Sequence, residues 1–92
     1  MLTIKYHASF KRDYKRIKKR GYDIRLLGQI IENLASGQSL DVKHHDHPLA
    51  GDWIGFRECH ITPDWLLIYR IDERELILFL TRTGTHTDLL GK

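Results

Sequence analysis

The histidines are the residues of this sequence best suited to chemistry at neutral pH. The chain has six histidines among 92 residues, and four of them lie between residues 44 and 60. Histidine exchanges protons readily because its ordinary pKa is about 6.5. His44, His45 and His47 also raise the question of a metal site, but they lie in a predicted loop without the helical spacing or paired cysteines of strong zinc motifs. We therefore expect no metal site, and interpret His44 and His45 as exposed loop residues.

A second grouping joins residues that are distant in the sequence but lie at the ends of predicted strands. If the last three strands form an antiparallel meander, the turn after the first strand and the end of the third lie at the same edge of the sheet. The residues collected at that edge are His60, Asp64, Trp65, Arg82 and His86. His47 closes the loop that precedes these strands.

These residue types are sufficient to cleave a phosphodiester without a metal. One group takes the proton of the ribose 2′-hydroxyl, another donates a proton to the leaving oxygen, and a fixed cation stabilises the developing negative charge. An exposed indole can stack on an unpaired base. Structural roles are the alternative, because Trp65 can pack on the sheet, Asp64 can be a turn residue and Arg82 can simply end a strand.

The first part of the chain has the hydrophobic spacing of one strand followed by two helices. Residues 2–7 alternate between apolar and polar side chains, which is the period of a half-buried strand. From Ser9, which we expect to cap a helix, apolar residues recur every three or four positions until Gly21. A second apolar stripe begins after Asp23 and stops at residues 36–37.

The remainder is predicted to be a long loop followed by three antiparallel strands. Residues 37–52 have no regular hydrophobic period, and loops of this length in small domains are usually functional. Strands are predicted over residues 53–60, 65–71 and 75–82, followed by at most one helical turn or a short strand. The order β-α-α-β-β-β predicts one α+β domain over residues 1–92, with two N-terminal helices packed on a small, mainly antiparallel sheet.

Charge and apolar content narrow the class of protein. Residues 1–25 hold nine Lys or Arg against two Asp, whereas the rest of the chain has more acidic than basic residues. Such a basic block suits a polyanion or an acidic protein, although a solvated helix face has the same composition. The apolar stretches are too short to span a bilayer, no signal-peptide core is evident, and the single Cys59 excludes an intrachain disulfide. We expect a cytoplasmic protein without membrane contact, in which Cys59 is a buried filler.

Four sequence blocks, in order, resemble the YafQ-like branch of the RelE/ParE superfamily of bacterial type II toxins. The blocks are DHPL at 46–49 with Gly51, RECH at 57–60, PDWLLIY at 63–69 and RTGTH at 82–86. The resemblance covers essentially the whole chain and implies a microbial-ribonuclease-like fold. It also implies an mRNA endoribonuclease that acts in the ribosomal A site, needs no metal or cofactor, and is neutralised by a cognate antitoxin.

The resemblance implies site roles for His47, His60, Asp64, Trp65, Arg82 and His86. It assigns His86 and Asp64 to proton transfer, His47 and His60 to proton transfer or phosphate stabilisation, and Arg82 to charge stabilisation, and it leaves open which histidine is acid and which is base. Leu90 stands where the branch often has an aromatic residue. We expect Leu90 to contact the RNA, and the absence of the aromatic ring to alter the codon preference or weaken the activity of the enzyme. The basic first helix would contact ribosomal RNA phosphates or an acidic antitoxin segment through Lys11, Lys15, Lys18 and Lys19.

Two other functions remain as alternatives. A ParE-like chain of the same superfamily poisons gyrase and does not need this set of histidines, so the strand-end and loop histidines argue against it. A non-catalytic module that only binds an antitoxin would be expected to lack part of the site. A histidine-rich metal buffer would carry zinc at stoichiometric occupancy after purification, which we do not expect. Among the residues that the resemblance identifies, only Leu90 departs from the pattern.

Overall fold

The computed structural model describes residues 1–91 and has an α+β architecture. The helices and strands are β1 (Thr3–Tyr6), α1 (Ala8–Lys19), α2 (Ile24–Ala35), β2 (His47–Pro48), β3 (Arg57–Thr62), β4 (Trp65–Asp72), β5 (Ile77–Gly84) and α3 (His86–Leu90). Single 3₁₀ turns at Val42–His44 and Gly51–Trp53 flank β2. The predicted α+β class and order are confirmed; the short β2 is an addition, and α3 stands where a helical turn or short strand was predicted.

The strands form one sheet in the order β1-β5-β4-β3-β2. β1 pairs in parallel with β5, and every other pairing in the sheet is antiparallel. The last three strands therefore form the predicted meander. β4 lies at the centre of the sheet, which explains its almost continuous apolar sequence, because both of its faces are covered.

Both long helices pack on one face of the sheet. Phe10 and Ile17 of α1 and Leu27 of α2 lie in the core that covers this face. Asp23 caps α2 as predicted, since its side chain accepts a hydrogen bond from the Arg25 N–H. The prediction that Ser9 caps α1 is wrong.

Ser9 lies inside the first turn of α1, which begins at Ala8, and its hydroxyl donates to the Thr81 carbonyl at 2.6 Å. A tertiary bond to β5 thus takes the place of the local cap.

The opposite face of the sheet carries a smaller apolar cluster. Leu66, Ile68 and Leu89 are buried there, with Trp53 and other loop side chains packed against them. The predicted strand from residue 53 begins only at Arg57, because the chain first turns through positive φ angles of 64° at Gly51 and 92° at Gly55.

Cys59 is fully buried, as predicted. Among residues 1–91, no helix has the length and apolar character needed to cross a membrane.

Candidate active site

Three elements bring predicted site residues together at one edge of the sheet. His60 is near the end of β3, Asp64 lies in the turn before β4, and His86 opens α3 immediately after β5. The His60 and His86 rings are 5.6 Å apart between centroids, and Nδ1 of His86 is 3.5 Å from Oδ1 of Asp64. The meander therefore produces the convergence expected from its connections.

His47 enters the same cluster through β2. This strand pairs with β3 so that His47 lies opposite Glu58, and His47 Nε2 is 3.1 Å from Glu58 Oε2. Ligand atoms of His47, Glu58 and His60 all lie within 4.8 Å of one another. Glu58 was missed in the sequence prediction. Strand alternation could have identified it, because Glu58 and His60 are two residues apart and share a face of β3.

The two histidines interpreted as exposed loop residues also touch the cluster. The Nδ1 atom of His44 is 2.7 Å from the carbonyl oxygen of His60, and the His45 ring packs edge-on against the His60 ring at 5.6 Å. His45 has the positive φ of 46° that ends the preceding 3₁₀ turn. His45 is an exposed loop residue, as predicted, whereas His44 lies half-buried in the 3₁₀ turn, and both contact His60.

Asp46 fixes this loop to the sheet. The Tyr69 hydroxyl donates to Asp46 Oδ1 at 2.6 Å, and Nε of Arg57 lies 3.3 Å from the same oxygen. Burial, together with the hydrogen bond to Asp46, raises the pKa of Tyr69 well above its ordinary value, so the hydroxyl remains a donor. The bond places the backbone of residue 47 beside β3.

Arg82 is held from the opposite side, by α1. Its Nε and Nη2 atoms donate to the Asp13 carboxylate at 2.6 and 3.1 Å. These hydrogen bonds raise the pKa of Arg82 above its ordinary value, which keeps the guanidinium charged. Arg82 lies on β5 two residues before Gly84, but no contact with the imidazole cluster is present among the described residues.

A capping box sets the start of α3 and therefore the position of His86. The Thr85 side chain accepts from the Asp88 N–H, and the Asp88 side chain accepts from the Thr85 N–H. Arg20 of α1 donates to both Asp88 oxygens at 2.7 and 3.2 Å, which holds the pKa of Asp88 well below its ordinary value. Leu90 is exposed one helical turn after His86, so both side chains lie on the same side of α3.

Trp65 does not offer a base-stacking surface. It is only 3% exposed, Tyr22 packs edge-on against its ring at 5.0 Å, and its Nε1–H donates to Thr83 Oγ1 at 2.9 Å. The prediction that Trp65 stacks on RNA is therefore corrected: as the first residue of a central strand facing the helices, it is a core residue.

The lysines of α1 lie outside the cluster. Lys11, Lys15, Lys18 and Lys19 are all exposed. Beside them, an apolar groove of about 570 Å³ runs between α1 and α2, and its lining includes Phe10, Tyr14, Ile24, Ile31 and the two lysines Lys11 and Lys15.

Two helices on a five-stranded sheet, with imidazoles and carboxylates gathered at one sheet edge, form the α+β architecture expected from the resemblance to RelE-like toxins. Residues 2–91 match the family described as "Bacterial toxin of type II toxin-antitoxin system, YafQ". The chain belongs to this family, and relatives named as mRNA interferases identify it as an endoribonuclease.

Relatives of known sequence and structure cover nearly the whole chain. The mRNA interferase toxin YafQ of Escherichia coli (strain K12) is 37% identical over 89 residues, which are 96% of this chain and 95% of the relative. A metal-bound toxin from Helicobacter pylori superposes with a TM-score of 0.91 at 47% identity, covering 97% of this chain and 99% of the other. YafQ in the E. coli DinJ-YafQ complex has a TM-score of 0.90 at 36% identity, covering 99% and 100% of the two chains.

Proposed function

We propose that this toxin cleaves mRNA in the ribosomal A site and thereby blocks translation in the cytoplasm. The reaction is metal-independent general acid-base catalysis by His47, His60, Asp64, Arg82 and His86. The single observation that supports it most directly is the contact of His60 and His86 at 5.6 Å beside Asp64. The oxygens of one phosphodiester can reach two imidazoles at this separation.

Each group has a role that its surroundings support. Asp64 lies 3.5 Å from Nδ1 of His86 and orients the ring, which suits His86 to proton transfer. Glu58 does the same for His47, while His60 lies between the two pairs. Arg82 remains charged and stabilises the negative charge that develops on the phosphate oxygens.

Mapping of RNA ends in a bacterial host tests the proposed reaction. The chain is induced beside His86→Ala, and new 5′ ends are mapped across translated and untranslated copies of one message. We expect cuts in phase with the codons that require both translation and His86. The alanine variant must bind antitoxin as tightly as the parent chain, which shows that it is folded. Equal cutting by the folded variant would contradict the mechanism, and growth arrest with intact mRNA and damaged DNA would support a gyrase target.

We further propose that a cognate antitoxin inhibits the toxin by binding along α1. The groove between α1 and α2 offers an apolar floor, and Lys11 and Lys15 lie beside it, which suits an amphipathic segment with acidic residues. The related YafQ of E. coli is found in complex with DinJ. Ribosomal RNA and the antitoxin would then compete for the same basic surface.

A second candidate function is regulation by a bound metal ion. His47, Glu58 and His60 present two imidazoles and a carboxylate within 4.8 Å, which are donor types that zinc and copper accept. The related H. pylori toxin is metal-bound. Because an ion held here would occupy two of the proposed catalytic imidazoles, we expect it to inhibit cleavage.

Calorimetric titration with Zn²⁺ or Cu²⁺, beside Glu58→Gln, tests this candidate. We expect one ion per chain, weaker binding by the glutamine variant and slower cleavage as the site fills. Cleavage that continues unchanged at full occupancy would contradict inhibition.

A further inference from the structure

Asp13 is a buried carboxylate that has no part in the proposed proton transfers. It lies in the middle of α1 and is only 2% exposed. Its two oxygens accept hydrogen bonds from the Arg16 Nη2 atom at 2.7 Å, from Nε and Nη2 of Arg82 at 2.6 and 3.1 Å, and from the Thr83 N–H at 3.1 Å. A carboxylate withdrawn from water in this way is stable only because its lone pairs are satisfied.

The contact with Arg82 has the geometry of a two-point clamp. Parallel bonds from Nε and Nη2 to the two oxygens of one carboxylate fix both the position and the plane of a guanidinium group. The described residues provide no acceptor for the third nitrogen, Nη1. The Arg82 side chain is 25% exposed, so part of it is accessible to a ligand.

The bond from the Thr83 N–H ties the same carboxylate to the backbone of β5, beside Arg82 itself. The clamp therefore fixes the guanidinium relative to the strand that leads to Gly84 and His86.

We infer that Asp13 is a positioning residue of the nuclease, which holds Arg82 so that Nη1 faces the scissile phosphate. The inference rests on the proposed charge-stabilising role of Arg82. It differs from a general structural role because the effect of Asp13 on the rate must pass through Arg82. Removing Asp13 should then matter only while Arg82 is present.

A double-mutant cycle on ribosomes tests this dependence. Cleavage of a translated message is measured for the parent chain, Asp13→Asn, Arg82→Ala and the double variant. We expect each single variant to lower kcat by about 10- to 100-fold with little change in KM, since a small displacement of a catalytic group has effects of this size. Adding Asp13→Asn to Arg82→Ala should cost less than about twofold, because both changes remove the same interaction.

Two further variants serve as controls. Arg16→Gln removes another partner of Asp13 but leaves the clamp intact, and should keep kcat within about twofold of the parent. Asp13→Glu preserves the buried charge and displaces the guanidinium, so it should be folded but slow. It replaces Asp13→Asn in the cycle if the asparagine variant does not fold, as judged by circular dichroism and antitoxin binding.

The outcomes separate this inference from the proposed function. A folded Arg82→Ala variant with the parent rate would remove Arg82 from the mechanism, and the inference with it. If Arg82→Ala cleaves slowly but Asp13→Asn and Asp13→Glu cleave at the parent rate, the inference about Asp13 would be overturned and the proposed function would stand. An Asp13 substitution that slows the reaction equally with and without Arg82 would show a general structural role and would also overturn it.

Discussion

The Thr83 hydroxyl links two buried groups at the centre of the sheet. It accepts from the Trp65 indole N–H at 2.9 Å and donates to the Leu66 carbonyl at 2.8 Å. Thr83→Val is nearly isosteric but leaves the buried indole N–H without its acceptor. We expect the free energy of unfolding to fall by about 1–3 kcal/mol, which is the usual cost of an unsatisfied buried donor.

Urea denaturation followed by tryptophan fluorescence measures this change. Thr83→Ser keeps the hydroxyl and serves as the control, because it removes only a methyl group. A valine variant as stable as the parent would show that the indole N–H has another acceptor, contrary to the assignment of Trp65 as a core residue bonded to Thr83.

Cys59 illustrates how burial determines reactivity. Burial, together with the nearby Asp46 and Glu58 charges, raises the pKa of the thiol to about 12. At pH 8, about one thiol in 10⁴ is then ionised, and the thiolate is the reactive form. We expect the native protein to resist iodoacetamide at pH 8 and to react rapidly in urea, measured by mass spectrometry. Because Cys59 is the only cysteine, a single adduct at equal rates in both conditions would contradict this prediction.

Site residues could be predicted from the sequence where short turns between strands determine their positions. His60, Asp64 and His86 meet because the hairpins are tight and the strands alternate in direction. Asp13 could not be predicted in the same way, because its partner Arg82 lies 69 residues away. Trp65 was interpreted wrongly for a related reason, since an apolar strand does not show which of its faces the helices cover.

The helix α3 depends on contacts with the rest of the fold. A helix of only five residues has little stability on its own. Its capping box and the ion pair between Arg20 and Asp88 provide additional stability. We expect Arg20→Gln to increase hydrogen exchange at the amides of α3 and to slow cleavage severalfold, because His86 begins this helix. Arg20→Lys should recover part of the rate. Unchanged exchange in Arg20→Gln would show that the capping box is sufficient.

The pH dependence of this anchor has a defined sign. The fold lowers the pKa of Asp88 below its ordinary value of 3.8, chiefly through the hydrogen bond from Arg20. The stabilisation is therefore fully present above that ordinary value and is lost only as pH falls through the lower value of the folded state. Exchange at α3 in the parent chain, corrected for intrinsic rates, should stay constant between about pH 5 and pH 8. Loss of protection within this interval would mean that another group anchors α3.

At the level of elements, the structure of the loop over residues 37–52 could be predicted only in part from its local sequence pattern. Its length and lack of periodicity predicted a functional segment, and its histidines do contact the cluster. The pairing of β2 with β3 was not predictable, because it depends on the bond between Asp46 and Tyr69, which are 23 residues apart. A two-residue strand has no periodicity of its own, so only its tertiary partner defines it.

At the scale of the whole molecule, the sequence shows that charge is unevenly distributed. It does not show which charged side chains are left without an oppositely charged partner. Among residues 1–91, the close contacts of carboxylates with basic side chains are made by arginine or histidine, at Asp13, Asp23, Asp46, Glu58, Asp64 and Asp88. The lysines of α1 take no part in them and remain exposed. They are therefore among the cations available for RNA phosphates or an acidic protein segment.

Removing two of these lysines should change how salt affects ribosome binding. We expect Lys15→Gln/Lys18→Gln to bind ribosomes more weakly and with a shallower dependence of log K on log salt, by about 0.7 to 0.9 for each phosphate that the variant no longer neutralises. Lys5→Gln/Arg74→Gln removes the same charge from exposed positions outside α1 and should leave the slope nearer that of the parent. Equal changes in both pairs would mean that only net charge matters. An unchanged slope with weaker antitoxin binding would instead assign the lysines to the antitoxin, because a side chain that neutralises no phosphate releases no counterions from RNA.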